Sequence, residues 1–180
     1  MKYEIETKVL DIDADDLKCK LEKSGAKKTQ ETKLIVDWYR LKGIKEGEDP
    51  WYLRIRSNSE GKREVTWKSI SNTIGLVRKH QEINYLTTEP EKINDLFLGI
   101  GLEKYAHQEK IRISYDLKDW HFDLDQYPGM PAYLEIEGHS EEHIKEAMKL
   151  FGLENNRTWT KGERILIHET YGLDWYNMKF

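Results

Sequence analysis

Seven stretches of this chain alternate charged and apolar residues with a period of two, which fits extended strands and not helices. Side chains two apart on a strand share a face. In YEIETKV, residues 3–9, Glu4, Glu6 and Lys8 therefore point one way and Tyr3, Ile5, Thr7 and Val9 the other. The pattern returns in WYLRIRS (Arg54, Arg56), REVTWKS (Glu64, Thr66, Lys68) and VRKHQEINY (Arg78, His80, Glu82). It returns again in EKIRISYD (Lys110, Arg112), HFDLDQY (His121, Asp123, Asp125) and YLEIEGH (Glu135, Glu137, His139). Whatever sheet these strands build has one apolar surface and one densely charged surface.

Helices lie between them. Stripes of apolar residues, with glycines or capping residues at the ends, predict helices over 14–24, 90–98, 141–151 and 161–171. Strands are predicted over 3–10, 35–41, 51–57, 63–69, 75–86, 108–117, 120–126 and 132–139, with loops at 42–50 and 154–160. At 180 residues the expectation is a single α+β domain, residues 1–180, with one well-developed core. Charged residues at 34% beside 11% aromatic describe a globular chain with a heavy charge load. A formal net charge of −4 provides no global basic field, so neither nucleic acid nor a membrane is an expected partner. The single cysteine, Cys19, excludes an internal disulfide and a cysteine metal cluster. With no apolar signal core and no apolar run near ~18 residues, a cytoplasmic protein is expected.

Two arrangements accommodate the charged rows. In an open sheet they face water, where ion pairs contribute only about 0–1 kcal/mol each and any polar mixture serves. In a closed sheet they line a lumen, with the apolar rows outside against the helices. Composition favours the second: arginine dominates the strand-centred bases, and the acids come as i, i+2 pairs. An outer-membrane barrel also turns apolar rows outward, but the helices and the lack of an export signal argue against one. Buried charges cost several kcal/mol per ion unless partnered. A polyanion partners Arg and Lys, and divalent cations partner carboxylates. The pairs Glu4/Glu6, Asp123/Asp125 and Glu135/Glu137 each aim two carboxylates at one point, a chelating geometry.

The ExExK of Glu4, Glu6 and Lys8 resembles the signature of the CYTH superfamily, the triphosphate tunnel metalloenzymes. The resemblance continues in order through LRIR, TWK, RxxxE, KIR, DLDQYPG and YLEIE, and covers about residues 1 to 170. It implies an antiparallel barrel of about eight strands forming a tunnel, flanked by helices. It implies that Lys8, Arg54, Arg56, Lys68, Arg78, Lys110 and Arg112 grip a small-molecule triphosphate. Glu4, Glu6, Glu135, Glu137 and one or both of Asp123 and Asp125 would bind Mg²⁺ or Mn²⁺, with Glu64 and Glu82 supporting. Lys8, Lys68 and Lys161 would be the catalytic lysines, Lys161 matching the family's C-terminal tunnel lysine. The superfamily includes triphosphatases and class IV adenylate cyclases; a monomer or homodimer is expected of this chain. The same tunnel serves both reactions. Hydrolysis is the reading preferred here, because no clear adenine-reading motif appears in the sequence. A non-catalytic polyphosphate-binding module would need the basic rows but not three acidic pairs.

Overall fold

β1 (Lys2–Val9) is hydrogen-bonded along both edges, and this decides between the open and the closed sheet. In the computed structural model, which describes residues 2–180, β1 pairs antiparallel with β9 (Tyr133–Gly138) on one side. On the other it pairs antiparallel with β6 (Val77–Leu86). The circuit runs from β9 through β8 (Trp120–Gln126), β7 (Leu102–Leu117), β2 (Lys27–Leu41), β3 (Trp51–Asn58) and β4 (Arg63–Ser69) to β6. Eight antiparallel strands thus close into a barrel, as the alternation predicts. Three short strands hang on its rim: β5 (Asn72–Ile74) on β6, β10 (Thr158–Trp159) on β1, and β11 (Asn177–Met178), parallel, on β7.

β2 and β7 are far longer than the 35–41 and 108–117 expected of them, because they pair with each other over most of their length. Polar KKTQETK has no strand signal of its own, and ladder pairing overrides propensity there. Two bulges interrupt this ladder. At the second, Trp38 faces Ala106 and Tyr39 faces Lys104, which leaves Tyr105 as the extra residue on β7. The predicted loop at 154–160 also contains β10, and the predicted helix at 161–171 becomes a short α4 (below).

α1 (Ala14–Lys23) and α3 (Glu141–Phe151) cover the outer face of β1, β8 and β9. Asp13 caps α1 by accepting from the backbone N–H groups of Asp15 and Asp16, and Ser140 caps α3 through that of His143. Gly152 ends α3 at φ +70°, a conformation glycine adopts without strain. Leu17, Leu21, Ile144, Met148 and Phe151 pack there on Val9, Phe122, Leu134 and Ile136. α2 (Pro90–Gly99) sets Phe97 edge-on against Tyr39, with ring centroids 5.1 Å apart, over Leu53 and Ile55. The helices do not cover every outward row: Tyr3, Ile83 and Tyr85 remain exposed. A third cluster closes one end of the barrel, where Leu34, Val36 and Trp38 from the inner face of β2 meet Tyr127, Tyr133, Leu166, Ile167 and Trp175. α4 (Glu163–Ile165) and the π-helical turn that continues it over Leu166–Thr170 supply part of this end. No helix among the described residues is long and apolar enough to cross a membrane.

Candidate functional site

Closure puts the charged rows of seven strands inside, and strand register decides which of them meet. Across β8, β9, β1 and β6, one row reads His121, Glu137, Glu6, Arg78, and the next reads Asp123, Glu135, Lys8. Arg112 lies opposite Asp125, Arg56 opposite Glu64, and Lys68 opposite Glu82. The rows surround a cavity of about 490 Å³, adjoined by a second of about 360 Å³ that shares Arg56, Glu64, Arg112 and Asp123 in its wall.

The acids cluster on one side. Glu4, Glu6 and Glu137 offer oxygens within 4.8 Å of one another, and so do Asp123, Glu135 and Glu137. Glu4, His80 and Glu82 form a third such group. Burial, then the neighbouring Glu4, Glu6 and Glu135, push the Glu137 carboxyl up to about 8. Glu6 moves the other way: burial opposes its ionisation, but Arg78, Lys8 and Lys68 hold it well below the usual carboxylate range. Burial likewise opposes ionisation of Asp123, yet Arg112 and His121 hold it at about 2. His121 is raised to about 9, chiefly by its hydrogen bond with Asp123. Glu6 Oε2 is buried with no partner. The two groups that share Glu137 offer an all-oxygen donor set, and with the orphaned oxygen of Glu6 they fit a hard divalent cation such as Mg²⁺ or Mn²⁺.

The bases face this cluster. Arg78 donates from Nε to Glu6 Oε1 at 2.5 Å, and Arg56 from Nη2 to Glu64 Oε1 at 2.6 Å. Lys68 is paired with Glu82 and lies 3.6 Å from Glu4. Arg112 forks onto Asp125, Nε to Oδ1 and Nη2 to Oδ2, both at 2.6 Å. Burial, with Arg54 and Arg112 beside it, lowers the affinity of Arg56 for its proton. Arg54 lies over the Trp38 ring, 5.5 Å from its centroid.

Several residues lie elsewhere than the resemblance implies. Lys8 and Lys110, each 1% exposed, do not line the main cavity. Lys8 donates to Glu135 at 2.5 Å, and Lys110 to Asp125 at 2.7 Å and Glu163 at 3.2 Å. Asp125 accepts from Lys110, Arg112 and Tyr133 and belongs to none of the three acidic groups; of the DxD pair, Asp123 is the one that does. Lys161 stands outside the barrel: its side chain is 61% exposed, 4.0 Å from Glu169 and above the Trp159 ring. It precedes the N-cap of α4, Gly162, where the chain turns away from β1 before Glu163 turns inward. His139 is also outside, stacked on His143 rather than lining the lumen.

Sequence reasoning missed what completes the cavity. Glu163 accepts from Tyr127 at 2.8 Å and Tyr133 at 2.9 Å as well as from Lys110, and Lys110, Lys8 and Arg112 help hold it ionised against its burial. At the same end, Tyr52, Trp38, Tyr105 and Trp175 form an aromatic wall, with Asp49 beside them. Tyr105 is there because of the β7 bulge, which period-two counting cannot see. An ion pair between Arg164 and Glu46 ties the 42–50 loop to α4. Trp51 and Trp67, by contrast, pack outside near α2.

A closed barrel whose inner wall sets carboxylates against guanidinium and ammonium groups defines a class of tunnel proteins. The family model of the CYTH domain matches residues 2–161, and the chain belongs to that family. The PH1012 protein from Pyrococcus horikoshii OT3 is 25% identical, with a TM-score of 0.70 over 86% of this chain and 94% of its own. A candidate adenylate cyclase from Vibrio parahaemolyticus is 13% identical, with a TM-score of 0.77 over 92% of this chain and 98% of its own. A candidate adenylyl cyclase from Hippeastrum, with a dominant triphosphatase activity, is 14% identical, with a TM-score of 0.68 over 94% and 96%. Among curated proteins none matches this chain.

Proposed function

We propose that this chain, acting as one domain, is a divalent-metal-dependent enzyme that hydrolyses a small-molecule triphosphate inside the barrel. The observation that carries this reading is the separation of charge within one cavity. Burial and then the neighbouring Glu4, Glu6 and Glu135 raise the Glu137 carboxyl to about 8, while Arg56, charged and paired with Glu64, is buried beside two further cations, Arg54 and Arg112. The first imbalance is relieved by a cation and the second by an anion, and a metal–triphosphate complex brings both.

Glu4, Glu6, Glu137, Asp123 and Glu135 would hold the cation. When bound, it supplies charge neutralisation at phosphate oxygens and a more acidic water. The chain's own part is positioning, which is most of what phosphoryl transfer asks of a protein. Arg54, Arg56, Arg78, Arg112 and Lys68 line the cavity and orient the phosphate chain. Lys8 and Lys110 lie behind them and hold Glu135 and Asp125 in place, while Glu163, in the cavity wall, accepts from Lys110.

Cyclisation of a nucleoside triphosphate is a second reading, and the aromatic wall of the cavity favours it by offering a seat for a ring. Both readings predict turnover that depends on the cation. A panel of tripolyphosphate, ATP and thiamine triphosphate, with Mg²⁺ and with Mn²⁺, separates them. Orthophosphate release supports hydrolysis, whereas cyclic AMP with pyrophosphate replaces it by cyclisation. No product from any of the three, with binding intact, reduces the protein to a polyphosphate-binding module.

A further inference from the structure

One arginine in the wall of the main cavity is not on a barrel strand. Arg164 belongs to α4, three residues beyond the outward-facing Lys161, and lines the cavity beside Gly162, Glu163 and Ile165. The strand-borne arginines pair with acids of the barrel itself: Arg78 with Glu6, Arg56 with Glu64 and Arg112 with Asp125. Arg164 instead pairs with Glu46, in the loop that joins β2 to β3. That loop also lines the cavity, through Gly47 and Asp49.

The Arg164 side chain is 27% exposed and that of Glu46 53%. An ion pair so open to water adds little stability and is readily exchanged. Its two halves are held differently. Arg164 follows Glu163, whose carboxylate is fixed inside by Lys110, Tyr127 and Tyr133. Glu46 stands between Gly43 and Gly47, which take φ of +80° and +83°, and residues 45–48 are all exposed. Two glycines lower the cost of a change in backbone path there. The arginine is the fixed half of the pair and the glutamate the movable one.

Resting on the reading of the lumen as a triphosphate site, we infer that Arg164 binds the phosphate chain and that Glu46 occupies its guanidinium until the substrate arrives. A carboxylate and a phosphate both offer a guanidinium two oxygens, so one stands in for the other. A triphosphate carries several negative charges where Glu46 carries one. Once its oxygens take Arg164, Glu46 is left facing an anion of its own sign, and the loop is released from α4. Glu46 is therefore a built-in competitor. The observed affinity is the intrinsic one reduced to the fraction of molecules in which Arg164 is free.

Calorimetric titration of the full chain with tripolyphosphate, in the presence of Mg²⁺, tests this by affinity rather than by turnover. Arg164→Ala should weaken binding about tenfold, and Arg164→Lys, which keeps the charge but not the fork, should recover part of the loss. Glu46→Gln should act in the opposite sense and tighten binding about two- to fivefold, as much as an exposed pair withholds. Glu48→Gln, which removes the same charge two residues on, should change affinity less than twofold. Added to Arg164→Ala, Glu46→Gln should have no further effect. Unchanged affinity in Arg164→Ala overturns the inference. So does equal tightening by Glu46→Gln and Glu48→Gln, which a general field would produce, or a gain from Glu46→Gln that survives without Arg164. The two readings fail distinguishably. If the unaltered protein binds neither tripolyphosphate nor ATP, the triphosphate site falls and the role of Arg164 with it. Binding that is indifferent to Arg164 and Glu46 removes that role alone.

Discussion

Replacing Glu137 by Gln should stabilise the metal-free protein at alkaline pH. The folded barrel raises this carboxyl from an ordinary 4.5 to about 8, first through burial and then through Glu4, Glu6 and Glu135. A group whose folded-state pKa is raised favours folding fully below its unfolded pKa and loses that contribution as pH climbs through the folded one. The window here runs from about 4.5 to about 8. At about 1.4 kcal/mol for each factor of ten, the loss across the window is about 5 kcal/mol. Gln carries no titrating proton and keeps the carboxyl's size, so it escapes this loss. Thermal melts of both proteins in chelator, from pH 5 to pH 9, read it directly. At about 2–4 °C per kcal/mol for a chain of this size, the Gln variant should gain on the order of 10 °C over the unaltered protein by pH 9. Adding Mg²⁺ or Mn²⁺ should restore the unaltered protein and leave the variant nearly unmoved. A difference between the two melts that stays flat with pH would refute the placement of Glu137 among competing acids.

Arg54→Ala or Arg56→Ala should raise the Michaelis constant for a triphosphate tenfold or more with the fold intact, since each removes a charge-assisted contact worth about 1.5–3 kcal/mol; unchanged kinetics would take them out of the site. Lys161→Ala should leave turnover within about twofold, because the side chain is exposed outside the barrel; a hundredfold loss would show that the segment moves inward during reaction. Glu163→Ala removes the acceptor of Lys110, Tyr127 and Tyr133 at once. Chemical denaturation should register a loss of about 3–5 kcal/mol, and a change below about 1 kcal/mol would mean that water replaces it.

The barrel was legible because alternation of charge is a signal of both strand and face. Closure followed from the kind of charge: arginines and paired acids are poor choices for a surface that any polar residue could cover. The full lengths of β2 and β7 were not legible, since the KKTQETK half of β2 takes its structure from its partner rather than from its own residues. Which side chains of the regular strands turn inward was legible by parity: Glu4, Glu6, Arg54, Arg56, Lys68, Arg78, Arg112, Asp123, Glu135 and Glu137 all do. The remainder needed three dimensions. Only register shows that Asp125 is taken up by Arg112 and Lys110 while Asp123 joins Glu135 and Glu137. Only the path through Gly162 shows that the segment after β10 sends Glu163, and not Lys161, inward. Tyr105 reaches the cavity through a bulge, and Asp49 through a loop with two left-handed glycines, neither of which carries a periodic signal.

The double-edged pairing of β1 also sets when the site comes into existence. Lys8 meets Glu135 across 127 residues of chain, and Glu6 meets Arg78 across 72. Contacts so distant in sequence form slowly and pay their loop entropy before any contact returns it. The proposed cation site takes Glu4 and Glu6 from the first strand and Glu137 from the ninth, so no part of the unfolded or half-closed chain can assemble it. Closing the barrel without a cation brings three carboxylates together. Divalent ions should therefore act as a clasp on the seam: they slow its reopening, and resistance to proteolysis of the amino-terminal strand should rise with their concentration.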